Sequence, residues 1–185
     1  AYMADCYARV TNRVGVCEGP SGGGATYILP GVVEANESSI PILSITTDIS
    51  VSARGRYALT ELDQAALFQP LTKWNKVLDN AAEIPSTLRA AFRNLSTGRP
   101  GAGHIGLPFD GQRGAVDESD IWADQSHGQF PNWPVSADPE AARAAAAALL
   151  SAKSPIIIVG GGVVIAAAQA SLQTLAEALD APVAT

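Results

Sequence analysis

The sequence predicts an α/β fold built on a parallel sheet that helices cover on both faces. Two observations lead to this prediction. Short apolar segments of strand length alternate with longer segments of helical periodicity along the chain. The strand-like segments are mostly apolar, which is typical of parallel strands buried on both faces.

The first part of the chain contains three predicted strands and three predicted helices. Helical spacing of apolar residues predicts the first helix, on Tyr2, Met3, Cys6, Tyr7 and Val10. Two further helices are predicted at 24–38 and 82–97, and strands at 14–17, 41–46 and 102–107. Pro30 kinks the helix at 24–38 or delays its start, and Gly98 caps the helix at 82–97. Residues 48–66 lack clear periodicity and contain a predicted loop.

The alternation resumes in the second part of the chain. Asp138 caps a helix predicted at 139–153, and a buried strand at 155–159 follows it. The turn Gly160–Gly162 then leads into a helix at 163–179. These three glycines could hold an anion at the helix start, or could merely permit a tight turn, and the second interpretation is the simpler one.

These elements give three predicted regions. Residues 1–110 form the first domain, and residues 111–136, rich in Gly, Pro, Asp and Ser, form a linker. Residues 137–185 begin a second, Rossmann-like α/β domain. Because the first helix has no cap and the chain stops on a strand-like segment, we expect a fragment of a longer protein.

Composition excludes several functional classes. The net charge is −6 and no Lys/Arg cluster is present, which argues against nucleic-acid binding. With only Cys6, Cys17, His104 and His127, a disulfide framework and a zinc site are both unexpected. No segment approaches the ~20 apolar residues that cross a membrane, and the acidic Asp5 argues against a signal peptide. We therefore expect a cytoplasmic protein without a membrane partner.

The turn Gly19–Thr26, with the sequence GPSGGGAT, has three possible interpretations. Gly19-x-Ser21-x-Gly23 matches the nucleophile elbow of hydrolases, but fewer than twenty residues precede it, whereas a hydrolase sheet needs several strands before its elbow. The glycine spacing does not fit the dinucleotide pattern GxGxxG either. The third possibility is a backbone that packs against a flat cofactor ring, where a side chain would hold the ring away.

Several short motifs in a fixed order favour the third interpretation. They are Met3–Arg9 (MADCYAR), Ser21–Thr26 (SGGGAT), Ser39–Ile42 (SIPI), Thr72–Trp74 (TKW), Ser96–Gly101 (STGRPG) and Leu107–Pro108. In this order they resemble the pyrimidine-binding domain of thiamine-diphosphate enzymes of the acetolactate synthase and pyruvate oxidase group. The segment from Ser154 to Val183 resembles the start of that family's middle domain.

The resemblance implies a set of cofactor-binding residues, namely Gly22, Gly23, Gly24, Tyr27 and Thr60. Ser21 is then not a nucleophile. Four positions depart from the family's usual residues: Cys6 and Gly23 replace glycine and proline, and Tyr27 and Thr60 replace asparagine and glutamine. We expect Cys6 to be a small buried thiol. Thr60 puts acetolactate formation itself in doubt, because threonine is shorter than glutamine.

The resemblance also implies chemistry that this chain does not carry alone. The family's catalytic glutamate would lie upstream of Ala1, so no catalytic residue and no metal ligand is expected here. Thiamine diphosphate and Mg²⁺ would be held together with a C-terminal domain, and the middle domain could bind FAD or another nucleotide. A 2-oxo acid substrate and a homodimer or homotetramer are implied. The alternative is a non-catalytic cofactor-binding module or regulatory remnant.

Four further polar residues have structural or functional interpretations. We expect Arg9 to pair with a carboxylate or a helix end, and His104 to be a core residue of its strand. Lys73 could lie at the mouth of the active site or on the solvated surface. Glu61 is a carboxylate at a family-matched position of the loop and could lie near the active site.

Overall fold

A computed structural model describes residues 1–133 and 135–185, which divide into two compact units, Ala1–Asn132 and Trp133–Thr185. The first unit contains five α-helices and four strands among the described elements. The helices are α1 (Tyr2–Thr11), α2 (Gly23–Tyr27), α3 (Leu29–Glu37), α4 (Gln64–Phe68) and α5 (Ile84–Ser96). The strands are β1 (Gly15–Gly19), β2 (Ile42–Asp48), β3 (Trp74–Val77) and β4 (Gly103–Pro108).

All strands of the first unit are parallel, in the order β1-β2-β4-β3, which confirms the predicted sheet. Leu43 and Ile105 point to one face and pack in a core with Leu95 of α5. Because strand side chains alternate, Thr46 and His104 point to the opposite face, where Phe68 of α4 stacks on the His104 ring. Helices therefore cover both faces of the sheet.

The structure corrects the predicted elements of the first unit in three places, and in the second unit the helix predicted at 163–179 is two helices, Gly161–Ile165 and Gln169–Leu179. The helix predicted at 24–38 is two helices, because the chain breaks at Ile28 and Pro30 lies in the first turn of α3. Strand β3 was not predicted, since its sequence Trp-Asn-Lys-Val lacks an apolar run and all four residues are half-buried. Helix α4 lies at the end of the segment that showed no periodicity.

Residues 109–132 belong to the first unit and pack on its other elements. Phe130 is buried and its N–H donates to Asn12 O at 3.0 Å, while the N–H of Val14 donates to Gly128 O at 3.0 Å. The guanidinium of Arg89 on α5 lies 4.3 Å from the centroid of the Trp122 ring. Most of the segment predicted as a linker is thus part of this compact unit, while the assignment of domains stays a prediction.

The second unit is smaller and is described by itself. Its elements are α6 (Pro139–Ser151), β5 (Ile157–Ile158), α7 (Gly161–Ile165), α8 (Gln169–Leu179) and β6 (Val183–Ala184). Strands β5 and β6 pair in parallel, and Asp138 caps α6 by accepting from the N–H of Ala141 at 2.8 Å, as predicted. No helix among the described residues is long and apolar enough to cross a membrane.

Candidate cofactor-facing edge of the sheet

The candidate site lies at the carboxyl edge of the first sheet, where open α/β sheets commonly bind ligands. Two of the segments that leave the sheet at this edge form the site. The glycine turn follows Gly19 at the end of β1, and the loop 49–63 follows Asp48 at the end of β2. The two segments meet where the hydroxyl oxygens of Ser21 and Thr60 lie 2.9 Å apart. The contact joins residues that are 39 positions apart in the sequence.

The three glycines of the turn serve different purposes. Gly22 has φ +61°, and a Cβ atom there would lie 2.8 Å from the Cβ of Thr60. A Cβ on Gly24 would lie 2.3 Å from Cγ of Pro20. A Cβ on Gly23 would meet nothing closer than the Tyr27 ring, at 3.8 Å. Contacts within the chain therefore account for glycine at positions 22 and 24, whereas the exposed Gly23 leaves its backbone uncovered.

Arg54 and Asp110 fix the beginning of the loop 49–63. The guanidinium of Arg54 donates to the carboxylates of Asp48 at 3.3 Å and Asp79 at 2.8 Å, and to Leu78 O at 3.2 Å. The carboxylate of Asp110 accepts from the N–H of Val51 at 3.1 Å. Since Asp48 is buried at the end of β2, Arg54 is a structural clamp for the loop.

Glu61 stabilises the tip of the same loop. Its carboxylate accepts from the N–H groups of Gly55 and Ala58, the latter at 3.0 Å. Both oxygens therefore have partners within the loop. Because Glu61 directly follows Thr60 in the sequence, these hydrogen bonds also stabilise the conformation of the turn that contains Thr60.

Thr60 itself adopts an unusual backbone conformation. Its φ is +69°, in the left-handed region that β-branched residues rarely adopt, and Tyr57 has φ +54° in the same loop. Such conformations persist only where the surrounding structure imposes them, and they concentrate at functional sites. The side chains of Tyr57 and Leu59 are almost fully exposed beside it, and Tyr27 is 84% exposed on α2.

The structure does not support the nucleophile interpretation of Ser21. The Ser21 hydroxyl pairs with Thr60, and both histidines are buried against other elements. His104 contacts Thr46 and Asn75, while His127 lies beside Ser96 and Asn132. A serine nucleophile needs a histidine base within hydrogen-bond distance, so this chain lacks the arrangement of a hydrolase among the residues described.

His104 is confirmed as a core residue. The ring lies parallel to Phe68 with the centroids 3.6 Å apart, its Nε2 is 2.7 Å from the Thr46 hydroxyl, and its Nδ1 is 3.0 Å from Asn75 Oδ1. Burial lowers the pKa of His104 to about 3, because a charged imidazolium loses its hydration in the core. His104 is therefore neutral at physiological pH.

Several family motifs lie at the opposite, amino edge of the sheet. The ammonium of Lys73 donates to the last carbonyls of α5, Asn94 O and Thr97 O, the latter at 2.6 Å. Arg99 donates to Ser39 Oγ at 2.8 Å and to Glu37 O at 3.1 Å. Both cations join helix ends to neighbouring segments, so Lys73 is a helix cap and does not lie at the edge with the glycine turn.

Helix α1 differs from the prediction in which side it buries. Ala4, Asp5 and Ala8 are buried, whereas Cys6, predicted as a buried thiol, is exposed with Tyr2, Met3 and Val10. The small alanines allow α1 to pack closely on the sheet, and its larger apolar side chains point outward. Arg9 pairs with Asp5 at 2.9 Å, as predicted. In the part of the chain that is described, no group of three metal-ligating side chains occurs.

Comparison with known proteins identifies the family. Residues 1–67 match the family described as "Thiamine pyrophosphate enzyme, N-terminal TPP binding domain", and residues 142–185 match "Thiamine pyrophosphate enzyme, central domain". The probable acetolactate synthase large subunit of Methanocaldococcus jannaschii is 42% identical over 117 residues, which is 63% of this chain and 20% of that protein. The acetolactate synthase large subunit of Corynebacterium glutamicum is 38% identical over 116 residues, or 63% of this chain and 18% of that protein.

The two family matches agree with the structure described above. The first ends within α4 and so contains the glycine turn, the loop 49–63 and their contact at Ser21 and Thr60. The second begins in α6 and includes the strands β5 and β6. The chain spans about one fifth of the length of the curated relatives it matches. It belongs to the family of thiamine pyrophosphate enzymes.

Proposed function

We propose that the first unit supplies the pyrimidine-binding side of a thiamine diphosphate site, in an enzyme that acts on a 2-oxo acid. The main support for this proposal is the contact between the glycine turn and the loop 49–63 at the carboxyl edge, where Ser21 meets Thr60. This contact brings Gly22 and Thr60 together at one edge of the sheet, and Gly23, Gly24 and Tyr27 lie on α2, which begins directly after Gly22. The relatives named acetolactate synthase support the substrate class.

The residues at this edge fit a flat aromatic ring. Gly23 is exposed and carries no side chain over its backbone, while Gly22 and Gly24 hold the turn in place. The Tyr27 ring lies 3.8 Å from the position of a Cβ atom on Gly23, and the Thr60 hydroxyl contacts Ser21 at the same edge. When it is bound, thiamine diphosphate supplies the electron sink for chemistry at the carbonyl carbon of a 2-oxo acid. The part of this chain is to bind and orient the pyrimidine ring and to exclude water from one side.

Other parts of the site would come from outside the residues described. We include Mg²⁺, the groups that bind the diphosphate and the catalytic glutamate in this proposal only because the resemblance to the family implies them. The same holds for FAD or another nucleotide in the central domain. A cytoplasmic location also stays a prediction.

A second candidate is a cofactor-binding module without turnover. The observation that favours it is Thr60, whose hydroxyl is engaged with Ser21 at a position where acetolactate synthases generally carry glutamine. Measuring consumption of pyruvate and other 2-oxo acids by the intact protein separates the two candidates. Turnover would establish the enzyme, and cofactor binding without turnover of any 2-oxo acid would favour the module.

We further propose that the intact protein is at least a dimer. Met3 and Val10 on α1 are 87% and 80% exposed, and Tyr57 and Leu59 are exposed on the loop tip. Monomeric proteins rarely leave large apolar side chains in contact with water over contiguous surfaces, which makes both surfaces candidates for a second copy of the chain. Sedimentation velocity of the intact protein tests this, and a monomer at all concentrations would contradict it.

A pair of substitutions at Gly23 tests the proposed cofactor site. Gly23→Pro is expected to keep thiamine diphosphate binding, because proline is usual here in the family and its ring stays close to the backbone. It should also raise stability by about 0.4–1 kcal/mol, since Gly23 is the first residue of α2. Gly23→Leu projects a side chain into the space proposed for the pyrimidine ring. It should weaken binding at least tenfold, or ~1.4 kcal/mol.

Calorimetric titration of the intact protein with thiamine diphosphate and Mg²⁺ gives both affinities. Gly128→Ala is the control, because a Cβ atom on Gly128 meets nothing within 4 Å and this glycine lies away from the turn. Equal affinities for the leucine and proline variants, with both folded, would show that the ring does not approach Gly23.

A further inference from the structure

A cluster of buried polar side chains lies on the face of the sheet that α4 covers. Thr46, Gln64 and His104 are each at most 1% exposed, and Asn75 on β3 lies at their edge. Buried polar groups of this kind are destabilising unless they are hydrogen-bonded, so the contacts they make are specific. These residues come from β2, β4, β3 and the first turn of α4.

Gln64 connects this cluster to the loop that carries Thr60. Its side-chain amide contacts the Thr46 hydroxyl through Oε1 and donates through Nε2 to Thr47 O at 2.7 Å. The preceding residue, Asp63, caps α4 by accepting from the N–H of Ala66 at 2.9 Å. The loop 49–63 therefore ends on a buried amide that is held to β2, only four residues after Thr60.

The Thr46 hydroxyl couples Gln64 to the rest of the cluster. It donates to Gln64 Oε1 and also contacts Nε2 of His104, so one hydroxyl group joins both side chains. The other nitrogen of His104 contacts Asn75 Oδ1, and Asn75 Nδ2 donates to Ala65 O at 2.7 Å. The cluster therefore contacts the first turn of α4 at two residues, the side chain of Gln64 and the backbone carbonyl of Ala65.

We propose that Gln64 is a positioning residue for the candidate cofactor site. By fixing the end of the loop to β2, it holds the strained Thr60 against Gly22 and Ser21. Arg54 fixes the beginning of the same loop, so the Thr60 turn is held at both ends. The proposal rests on the proposed function, because it assigns Gln64 a role in cofactor affinity beyond its role in packing.

The test compares three variants of the intact protein. Gln64→Met keeps the length of the side chain and removes its hydrogen bonds. Gln69→Met makes the same chemical change at an exposed residue just after α4. Leu95→Val weakens the core on the other face of the sheet, where Leu95 is fully buried, and serves as the control for general destabilisation.

Two readouts separate positioning from stability. Gln64→Met should accelerate hydrogen exchange of the amides at 55–61 and raise the Kd for thiamine diphosphate about tenfold, with Mg²⁺ saturating. Gln69→Met should change neither, and Leu95→Val should lower the melting temperature without selective exchange at 55–61. If Gln64→Met behaves like Leu95→Val, Gln64 is structural only and the proposal is wrong.

Thr46→Val completes a double-mutant cycle with Gln64→Met. Because both residues act through one hydroxyl contact, Thr46→Val should accelerate exchange at 55–61 in the wild-type background and add little when Gln64 is already methionine. Full additivity would overturn the coupling. The exchange measurement needs no cofactor, so it decides the positioning role even if the intact protein fails to bind thiamine diphosphate, a failure that would count against the proposed function alone.

Discussion

Replacing Gly24 with alanine is expected to destabilise the first unit by about 1–3 kcal/mol, the usual range for overpacking a well-packed site. The added Cβ atom would lie 2.3 Å from Cγ and 2.4 Å from Cδ of Pro20, well inside van der Waals contact. The proline ring cannot rotate away as a flexible side chain could, so the backbone of the turn must shift. Hydrogen exchange of the slowest amides in β1 and β2 measures the loss without interference from the second unit.

The neighbouring Gly23 provides the matched control for this prediction. Gly23→Ala introduces the same methyl group one residue earlier, where nothing lies closer than 3.8 Å. Because alanine is a better helix former than glycine, this variant should be neutral or more stable by up to about 1 kcal/mol. Equal destabilisation by both substitutions would contradict the role assigned to Pro20 and would point to a general intolerance of side chains in the turn.

The second large effect expected is a loss of stability in acid caused by His104. Its pKa is about 3 in the folded protein and 6.5 as a free side chain, so the unfolded chain takes up a proton in this range and the folded chain does not. The stability due to this residue is complete above pH 6.5 and falls as the pH is lowered toward 3. The slope approaches ~1.4 kcal/mol per pH unit.

The variant His104→Gln isolates this contribution. Glutamine keeps a donor and an acceptor in the strand but does not titrate, so the difference in stability between wild type and variant should shrink as the pH falls from 6.5. Carboxylates contribute equally to both proteins, and they cancel in the difference. A difference that is constant over this range would show that His104 titrates alike in the folded and unfolded states.

Much of the fold follows from local sequence patterns. The strands β2 and β4 were predictable because they are largely buried on both faces, and β1 because its short apolar run leads into a glycine turn. Asp138 marked the start of α6 because capping is a local interaction. Strand β3 was not predictable in the same way. Its residues are half-buried at the edge of the sheet, and only pairing with β4 makes them a strand.

The candidate site depends more on contacts between distant residues. The resemblance to the family predicted a role for the glycine turn and Thr60, but the contact between them joins two loops, and the positive φ of Thr60 has no signal in the sequence. Gln64 was missed because a polar residue in an irregular segment usually lies in solvent, whereas here the sheet supplies partners for its amide. Cys6 was wrongly predicted to be buried because the apolar side of α1 points outward.

We propose above that the glycine turn and the loop 49–63 together form the surface that faces the cofactor. Hydrogen exchange of the intact protein, with and without thiamine diphosphate and Mg²⁺, tests this most directly. We expect amides in 19–27 and in 55–61 to exchange more slowly in the presence of the cofactor, while the amino edge around Lys73 and Arg99 stays unchanged. Saturating cofactor binding that leaves both segments unprotected would contradict the claim.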